Sequence, residues 1–393
     1  MPRKGPRADT ACMEAAATQS ASLPVNALEY VKQRLAQMHP AYFAMAMATG
    51  IVSLAADQLG LSAFARLLLW LNLPAYCFIW LAFVLRIALF PSRVLADLSS
   101  HQRGPGFFTA VAATSVVGTQ IVLLLGNWPL ALALWWLALV LWFGLTCAIF
   151  VGLSVKEEKP TLAEGINGGW LLAVVAPQSV VVLGCAVGAD RILGHEISLF
   201  ILMSLWLCGG MLYIWMISLI FFRYMFFKFV PSDLMPPYWI NMGAVAISTL
   251  AGARLALSGG DVPLVASMLP FIKGLTLMFW ATATWWIPIL VILGVWRHRV
   301  RGFALKYDPL YWGLVFPLGM YSVCTLQLSK VLDVPFLVGL SRVFVVLALV
   351  AWVLTLFGLA TRLLYVVLLA MRRKEPASTM PAVLANQQTG RLS

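Results

Sequence analysis

Ten apolar blocks constrain this chain more than any other feature of its sequence. Each is long enough for a membrane-spanning helix, which needs about 20 apolar residues. The blocks run approximately over residues 40–60, 65–90, 106–126, 130–153, 163–188, 198–222, 238–257, 268–295, 310–331 and 342–370. Charged residues make up only 11% of the chain, which is too few to cover the surface of a soluble domain. A chain embedded in lipid does not need a charged surface, because lipid requires only that the backbone be hydrogen-bonded internally. The pattern predicts an all-α integral membrane protein with ten transmembrane helices.

Polar segments flank this apolar region. Residues 1–38 are predicted to form a cytoplasmic segment that ends in a short amphipathic helix within NALEYVKQRLAQM. Residues 39–371 are predicted to be the ten-helix domain, and residues 372–393 a basic, disordered cytoplasmic tail. The first apolar block begins too far along the chain for an ordinary signal peptide. It is therefore expected to remain in the mature protein as the insertion signal.

Lys and Arg are distributed unevenly between the two sides of the membrane. If successive blocks cross the membrane in alternating directions, only four of the 27 cationic residues lie on the side opposite both termini: Arg66, Arg191, Arg254 and Lys330. Four more fall inside the apolar blocks, and the remaining 19 lie on the side of both termini. Because Lys and Arg accumulate in cytoplasmic loops, both termini are predicted to be cytoplasmic, in a multi-pass protein of the cell (inner or plasma) membrane. The same rule accounts for the net charge of +12 without a nucleic-acid partner.

Side-chain size alternates from block to block. Odd-numbered blocks are rich in small residues, as in AMAMATGIVSLAA and TAVAATSVVGTQ, whereas even-numbered blocks are bulky and hold 11 of the 16 tryptophans. Small residues allow close helix approach or line a lumen, while bulky side chains face membrane lipid. The alternation predicts five helical hairpins around a central pore, with odd helices inside and even helices outside.

Charged residues avoid the centre of every predicted helix. The embedded cations lie within about two turns of a helix end, where long side chains can reach the interface: Arg86, Lys273, Arg342 and Arg362. Uncharged polar and helix-bending residues lie deeper in the odd blocks and are the candidate pore-lining residues: Gly50, Ser53, Gln120, Pro177, Gln178, Gly243, Ser248, Gly313, Pro317 and Gln327. A path lined by hydroxyls, amides and backbone dipoles suits small anions that descend their electrochemical gradient.

Two other classes of function remain open. A proton-coupled symporter of malate or other C4-dicarboxylates would need a carboxylate or His in the membrane, and its relays would be His39 or Glu164. A membrane enzyme or a non-transporting scaffold is the other alternative. The four histidines all fall at helix ends or in loops, and no HxxxH or HExxH pair, nucleophile elbow or phosphate loop occurs. We therefore predict no catalytic residue, no cofactor and no metal site.

Phe316 stands out in the ninth block. Gly313, Phe316, Met320, Cys324 and Gln327 share one helical face by their spacing, and Phe316 is its large aromatic, one residue before a proline. Such a side chain can plug a narrow pore or simply pack against a neighbouring helix. Spacing alone leaves both interpretations open.

Four segments resemble the tellurite-resistance/dicarboxylate transporter family: HPAYFAMAMATGIVSLA, WLLAVVAPQSVVVLG, PPYWINMGAVAISTLAG and YWGLVFPLGMYSVCTLQLSKVL. That family includes bacterial TehA, fungal malic acid permeases, fungal sulfite efflux pumps and plant slow-type anion channels. The resemblance implies five hairpins around an inner ring, a homotrimer with one pore in each subunit, and a pore gate at Phe316. It also implies malate, another C4-dicarboxylate, sulfite or an inorganic anion as substrate, with tellurite resistance incidental. Ala173 stands where many relatives of the malate and sulfite branch carry proline.

Overall fold

Ten long helices cross the region that the computed structural model describes, which comprises residues 27–260, 262–305 and 307–372. Each is long and apolar enough to span a membrane, which confirms the predicted fold class. We number these helices α1 (Ala44–Gln58), α2 (Ser62–Leu89), α3 (Phe108–Leu125), α4 (Trp128–Val155), α5 (Leu172–Val187), α6 (His195–Phe226), α7 (Ile240–Ser258), α8 (Pro263–Val295), α9 (Trp312–Leu332) and α10 (Leu337–Arg372). A short helix, Ala27–Ala36, precedes them. Most of the two predicted terminal segments, residues 1–26 and 373–393, lies outside the described residues.

A single 3-10 turn precedes every odd-numbered helix. The five turns are Pro40–Phe43, Gly104–Phe107, Gly168–Leu171, Pro236–Trp239 and Pro309–Tyr311. Four of them carry proline in their first two positions, where the missing N–H would have no helical partner in any case. Each turn contacts the next, and the last contacts the first. The odd helices therefore all begin on one side of the membrane. We call that side the N-face and the opposite side the C-face.

The odd helices also contact one another in a closed ring. α1 packs on α3, α3 on α5, α5 on α7, α7 on α9, and α9 on α1. Each even helix packs against the odd helix before it. In the most apolar part of each helix, at least 78% of the residues are buried in every odd helix, against at most 56% in any even helix. The bulky side chains of the even helices thus form the outer surface of the described structure.

Small residues let the ring helices approach closely. A Cβ atom added at Gly50 in α1 would lie 2.5 Å from Val116 Cγ1 in α3, and one added at Gly243 in α7 would lie 2.7 Å from Pro317 Cγ in α9. Neither position tolerates a side chain without a shift of the neighbouring residue. Small residues at such crossings are the usual basis of tight helix packing in membranes, because they bring two backbones together.

Arginines at the N-face ends of even helices bind the segments that connect these helices to the ring. Arg86 in α2 is only 1% exposed and forms an ion pair with Asp97, so it is buried rather than reaching the interface. Arg223 in α6 donates to the carbonyl oxygen of Ala163 at 2.8 Å. Arg297, just after α8, donates to the carbonyl oxygen of Leu234. These contacts offset part of the cost of burying the guanidinium groups and hold the connecting segments in place.

Candidate functional site

A narrow cavity lies inside the ring of odd helices. Its volume is about 20 Å³, room for roughly one water molecule. All five odd helices contribute to its wall and no even helix does. The lining residues are Ile51, Leu54 and Gln58 from α1; Ser115, Val116, Thr119 and Leu123 from α3; Ser179 and Val182 from α5; Ile247, Leu250 and Arg254 from α7; and Met320 and Val323 from α9.

The wall of the cavity changes in character along its length. At the C-face mouth it carries the guanidinium of Arg254 and the amide of Gln58, whose Oε1 accepts a hydrogen bond from Gln327 Nε2 at 3.0 Å. The middle is formed mainly by Leu and Val side chains. The deepest residue of α3 is Ser115, whose hydroxyl is buried with no hydrogen-bond partner. The cavity therefore offers one positive charge and uncharged polar groups, and its described lining includes no carboxylate.

Phe316 lies one helical turn beyond the cavity, toward the N-face. It shares a face of α9 with Met320 and Val323, since residues at i, i+4 and i+7 lie on one side of a helix, and its side chain is fully buried. One turn below the deepest lining residues, the other four ring helices carry Met47, Val111, Val175 and Gly243, all buried. We call these five residues the constriction layer. Phe316 is its aromatic member.

Most of the predicted pore-lining polar residues form helix–helix or intrahelical hydrogen bonds. Ser53 donates to the carbonyl of Ala65 at 2.7 Å, Gln178 to that of Trp206 at 2.9 Å, and Ser248 to that of Ala244 at 2.8 Å. Gln120 accepts from Asn72 at 2.7 Å. None of these residues lines the cavity, although Gln327 reaches its wall through Gln58.

The predicted glycine and proline positions occupy the interior of the ring helices. Gly50 and Gly243 sit at the close crossings described above, and Pro317 packs on Gly243. Pro177 is buried within α5. Gly313 has more room, since an added Cβ would find its nearest neighbour 3.8 Å away. Whether any of them lines an open pathway stays a prediction.

Sequence reasoning missed the two residues that distinguish the cavity chemically. The charge count uses Arg254 only as a cation on the outer side of the membrane, yet it lies in α7, one turn before that helix ends, and lines the cavity. Ser115 is not among the residues that the sequence predicts to line the pore. The sequence does carry a signal for Arg254: the apolar run INMGAVAISTLAGARLAL continues past the arginine, which indicates that the residue lies within the helix.

A family assignment follows from the sequence that forms this ring. Residues 37–360 match the family model SLAC1, described as the voltage-dependent anion channel family. The match covers nine of the ten helices and most of the tenth. The chain belongs to this family. Its members are membrane channels and transporters of anions rather than enzymes, in agreement with the fold and with the cavity inside the ring.

Several relatives share this similarity. An uncharacterized membrane protein of Mycobacterium tuberculosis is 36% identical over 144 residues, which is 37% of this chain and 73% of the relative. An uncharacterized transporter of Methanocaldococcus jannaschii is 22% identical over 74% of this chain and 84% of its own length. A sulfite efflux pump of Trichophyton rubrum is 23% identical over 81% of this chain and 89% of its own length.

His39 lies where the N-face turns begin, just outside the first spanning segment. Its Nδ1 accepts a hydrogen bond from the backbone N–H of Ala41 at 3.1 Å and so caps the turn Pro40–Phe43. Burial, reinforced by the nearby charge of Arg103 and opposed by Asp97 and Asp308, lowers the pKa of His39 from 6.5 to about 4. In this family member the imidazole is therefore neutral at physiological pH.

The lowered pKa of His39 predicts acid destabilisation over a defined range. Above pH 6.5 both folded and unfolded states hold it neutral. Between pH 6.5 and about 4 only the unfolded state binds the proton, so stability falls as pH falls, by about 2 kcal/mol at pH 5. Thermal unfolding in detergent at pH 7.5 and pH 5 measures this loss. His39→Asn keeps a capping acceptor without a titratable group and should lose less stability; an equal loss would contradict the assignment to His39.

Proposed function

We propose that this chain conducts small anions passively, driven by membrane potential and concentration gradient, along the axis of its ring of odd helices. The observation that carries the proposal is the cavity wall, to which all five ring helices and no outer helix contribute. A cavity formed only between ring helices lies on the axis, where a conduction path has to run. The family assignment to anion channels independently favours the same function.

The chemistry of the path favours anions over cations. Its charged group is Arg254, and its uncharged polar groups are hydroxyls and amides. Donors of this kind replace part of an anion's hydration shell, whereas a cation path would present carboxylates or rings of carbonyl oxygens. The positive side chains at the N-face add an attractive field at the other end of the path.

Phe316 is proposed as the gate. The cavity ends one turn short of it, and the other members of the constriction layer are methionine, valine and glycine. A phenyl ring at that level fills the space between the five helices and offers no hydrogen bond to a dehydrated anion, which raises the barrier to passage. Opening then requires Phe316 to rotate away or the ring to widen.

The proton-coupled symporter is the second candidate, and its two candidate relays argue against it. His39 is neutral at physiological pH because burial lowers its pKa to about 4. Glu164 is exposed, and its carboxylate accepts hydrogen bonds from the backbone N–H and the hydroxyl of Thr161, in a capping box at a short helix. Neither residue lines the cavity, so neither is placed to carry a proton with the substrate.

Sulfite and C4-dicarboxylates such as malate are the proposed substrates, with inorganic anions as further ones. The relatives include proteins named as sulfite efflux pumps, and the resemblance of the sequence motifs covers malate permeases. We propose a homotrimer in the cell membrane with one path in each subunit. The experiment that tests the function is flux from liposomes containing purified protein, with sulfite, malate, nitrate and chloride compared. Flux of at least one anion above that of protein-free liposomes is expected, and none for any anion would overturn the proposal.

The proposed orientation places the N-face and both termini in the cytoplasm, because 19 of the 27 cationic residues lie on that side. Gly260→Cys, in the exposed connection after α7 at the C-face, should react with a membrane-impermeant thiol reagent added outside intact cells. Glu158→Cys, in an exposed N-face connection, is the matched control and should react only after the membrane is opened. The reverse labelling pattern would invert the topology.

A further inference from the structure

We infer that the C-face half of the path contains an anion-binding site built from Arg254 at its mouth and Ser115 at its floor. The inference rests on the proposed function and deepens it, since it names the groups that hold the ion before it meets Phe316. We call this pair the outer anion site.

Arg254 is the first part of the argument. It lies within α7, lines the cavity and is half-buried, yet it forms no hydrogen bond or ion pair with any residue of the described part of the chain. An arginine inside a membrane span is costly and normally pairs with a carboxylate or backbone carbonyls. The other buried arginines of this chain follow that rule: Arg86 pairs with Asp97, and Arg223 binds the Ala163 carbonyl. Within the described part of the chain, no acceptor binds the Arg254 guanidinium, and the residue lines the cavity.

Ser115 is an independent observation at the opposite end of the cavity. Serine and threonine inside helices usually donate back to a carbonyl one turn earlier, as Thr119 does to Ser115 and Ser248 does to Ala244. Ser115 makes no such bond. Its hydroxyl is 1% exposed, has no partner and lines the cavity. A buried polar group left unpaired costs free energy, which an anion accepting from this hydroxyl would recover.

The two groups together specify the ligand. A guanidinium forms charge-assisted, often bidentate hydrogen bonds with planar or tetrahedral oxyanions. The Ser115 hydroxyl can donate one hydrogen bond to a partly dehydrated ion that has moved past the apolar middle of the cavity. The ligand class is therefore a small monovalent or divalent inorganic or carboxylate anion, taken up from the C-face. Gln58, held by Gln327 at the same mouth, adds an amide beside Arg254.

The test is current across planar bilayers, with chloride varied on the C-face side as the probe. Arg254→Gln removes the charge while keeping a side chain of similar size. It should raise the half-saturating chloride concentration roughly tenfold. It should also lower the permeability of chloride relative to potassium, as measured from the reversal potential. Arg254→Lys should stay within about threefold of wild type. Arg191→Gln is the matched control: Arg191 is a C-face cation outside the cavity, stacked on Trp128, and its removal should leave both quantities unchanged.

Ser115→Ala keeps the inference testable if Arg254→Gln fails to fold, because it removes no hydrogen bond within the protein. It should raise the half-saturating concentration about threefold, whereas Ser322→Ala, outside the cavity and with a hydroxyl that donates to the carbonyl oxygen of Ser341 at 2.8 Å, should not. Unchanged half-saturation in both Arg254→Gln and Ser115→Ala, with normal wild-type current, would overturn the outer anion site and leave passive conduction intact. Absence of current in the wild-type protein would instead overturn the proposed function.

Discussion

Replacing Phe316 with alanine is expected to raise anion flux per folded protein by about tenfold or more. In the constriction layer the other side chains are those of Met47, Val111 and Val175, and Gly243 has none, so truncation of the phenyl ring opens the layer directly. The cavity already reaches to one turn from this level. Removing the phenyl ring also removes an apolar surface that cannot replace the hydrogen bonds an anion loses when it is dehydrated. Single-channel conductance and liposome flux, normalised to folded protein, measure the effect.

Phe43→Ala is the matched control for this experiment. Phe43 is equally buried at the N-face end of the ring, but it packs edge-to-face on Trp80 and Phe83 of an outer helix. Its truncation should cost about 3–5 kcal/mol of stability with no gain in flux. Phe316→Leu should fall between wild type and Phe316→Ala. A well-folded Phe316→Ala protein with unaltered conductance would assign Phe316 to packing and remove it as the gate.

A single methyl group at Gly168 is expected to disrupt folding. Gly168 begins the third N-face turn, and a Cβ atom there would lie 2.5 Å from the carbonyl oxygen of Pro237 and 2.6 Å from the Cα of Tyr238. Both neighbours are backbone atoms of the next turn, which cannot rotate away as a side chain can. We expect Gly168→Ala to cost about 3 kcal/mol or more and to lower both the unfolding temperature and the yield of protein that is monodisperse in detergent.

Gly274→Ala supplies the comparison. Gly274 lies in the outer helix α8, and an added Cβ would have no heavy atom within 4 Å. Replacing glycine with alanine in a helix interior generally stabilises it by up to about 1 kcal/mol. Equal stability of the Gly168 and Gly274 variants would mean that the N-face turns are not in the tight contact described here.

The fold was largely predictable because lipid imposes it. A single run of about twenty apolar residues can hydrogen-bond all its backbone groups in a bilayer only as a helix. The apolar runs therefore located all ten spans to within a few residues at most ends. The content of small residues also separated the buried helices from the exposed ones, as in AMAMATGIVSLAA against LALALWWLALVLWF. The 3-10 turns were not predicted, because GPGF and GGWL share little beyond small residues near an aromatic one.

The site was less predictable, and the reason is rotation of the helices. Successive residues differ by about 100° around a helix axis, so a shift of one position changes a lining residue into a packing residue. Gln178 donates to the backbone of α6 and Ser248 to a carbonyl of its own helix, while Ser179 and Ile247, one position away, line the cavity. Nearly every residue in an odd helix is small or apolar, so no polar stripe marks the face that points to the axis.

The most direct test of passive conduction is anion flux in liposomes with the membrane potential and the pH gradient set independently. With equal pH on both sides, a potassium diffusion potential should drive chloride or malate in the direction that the potential dictates, and reversing the potential should reverse the flux. With the potential held at zero, a pH gradient alone should move no anion against its concentration gradient. Uphill accumulation of malate under that second condition would contradict passive conduction and establish proton coupling.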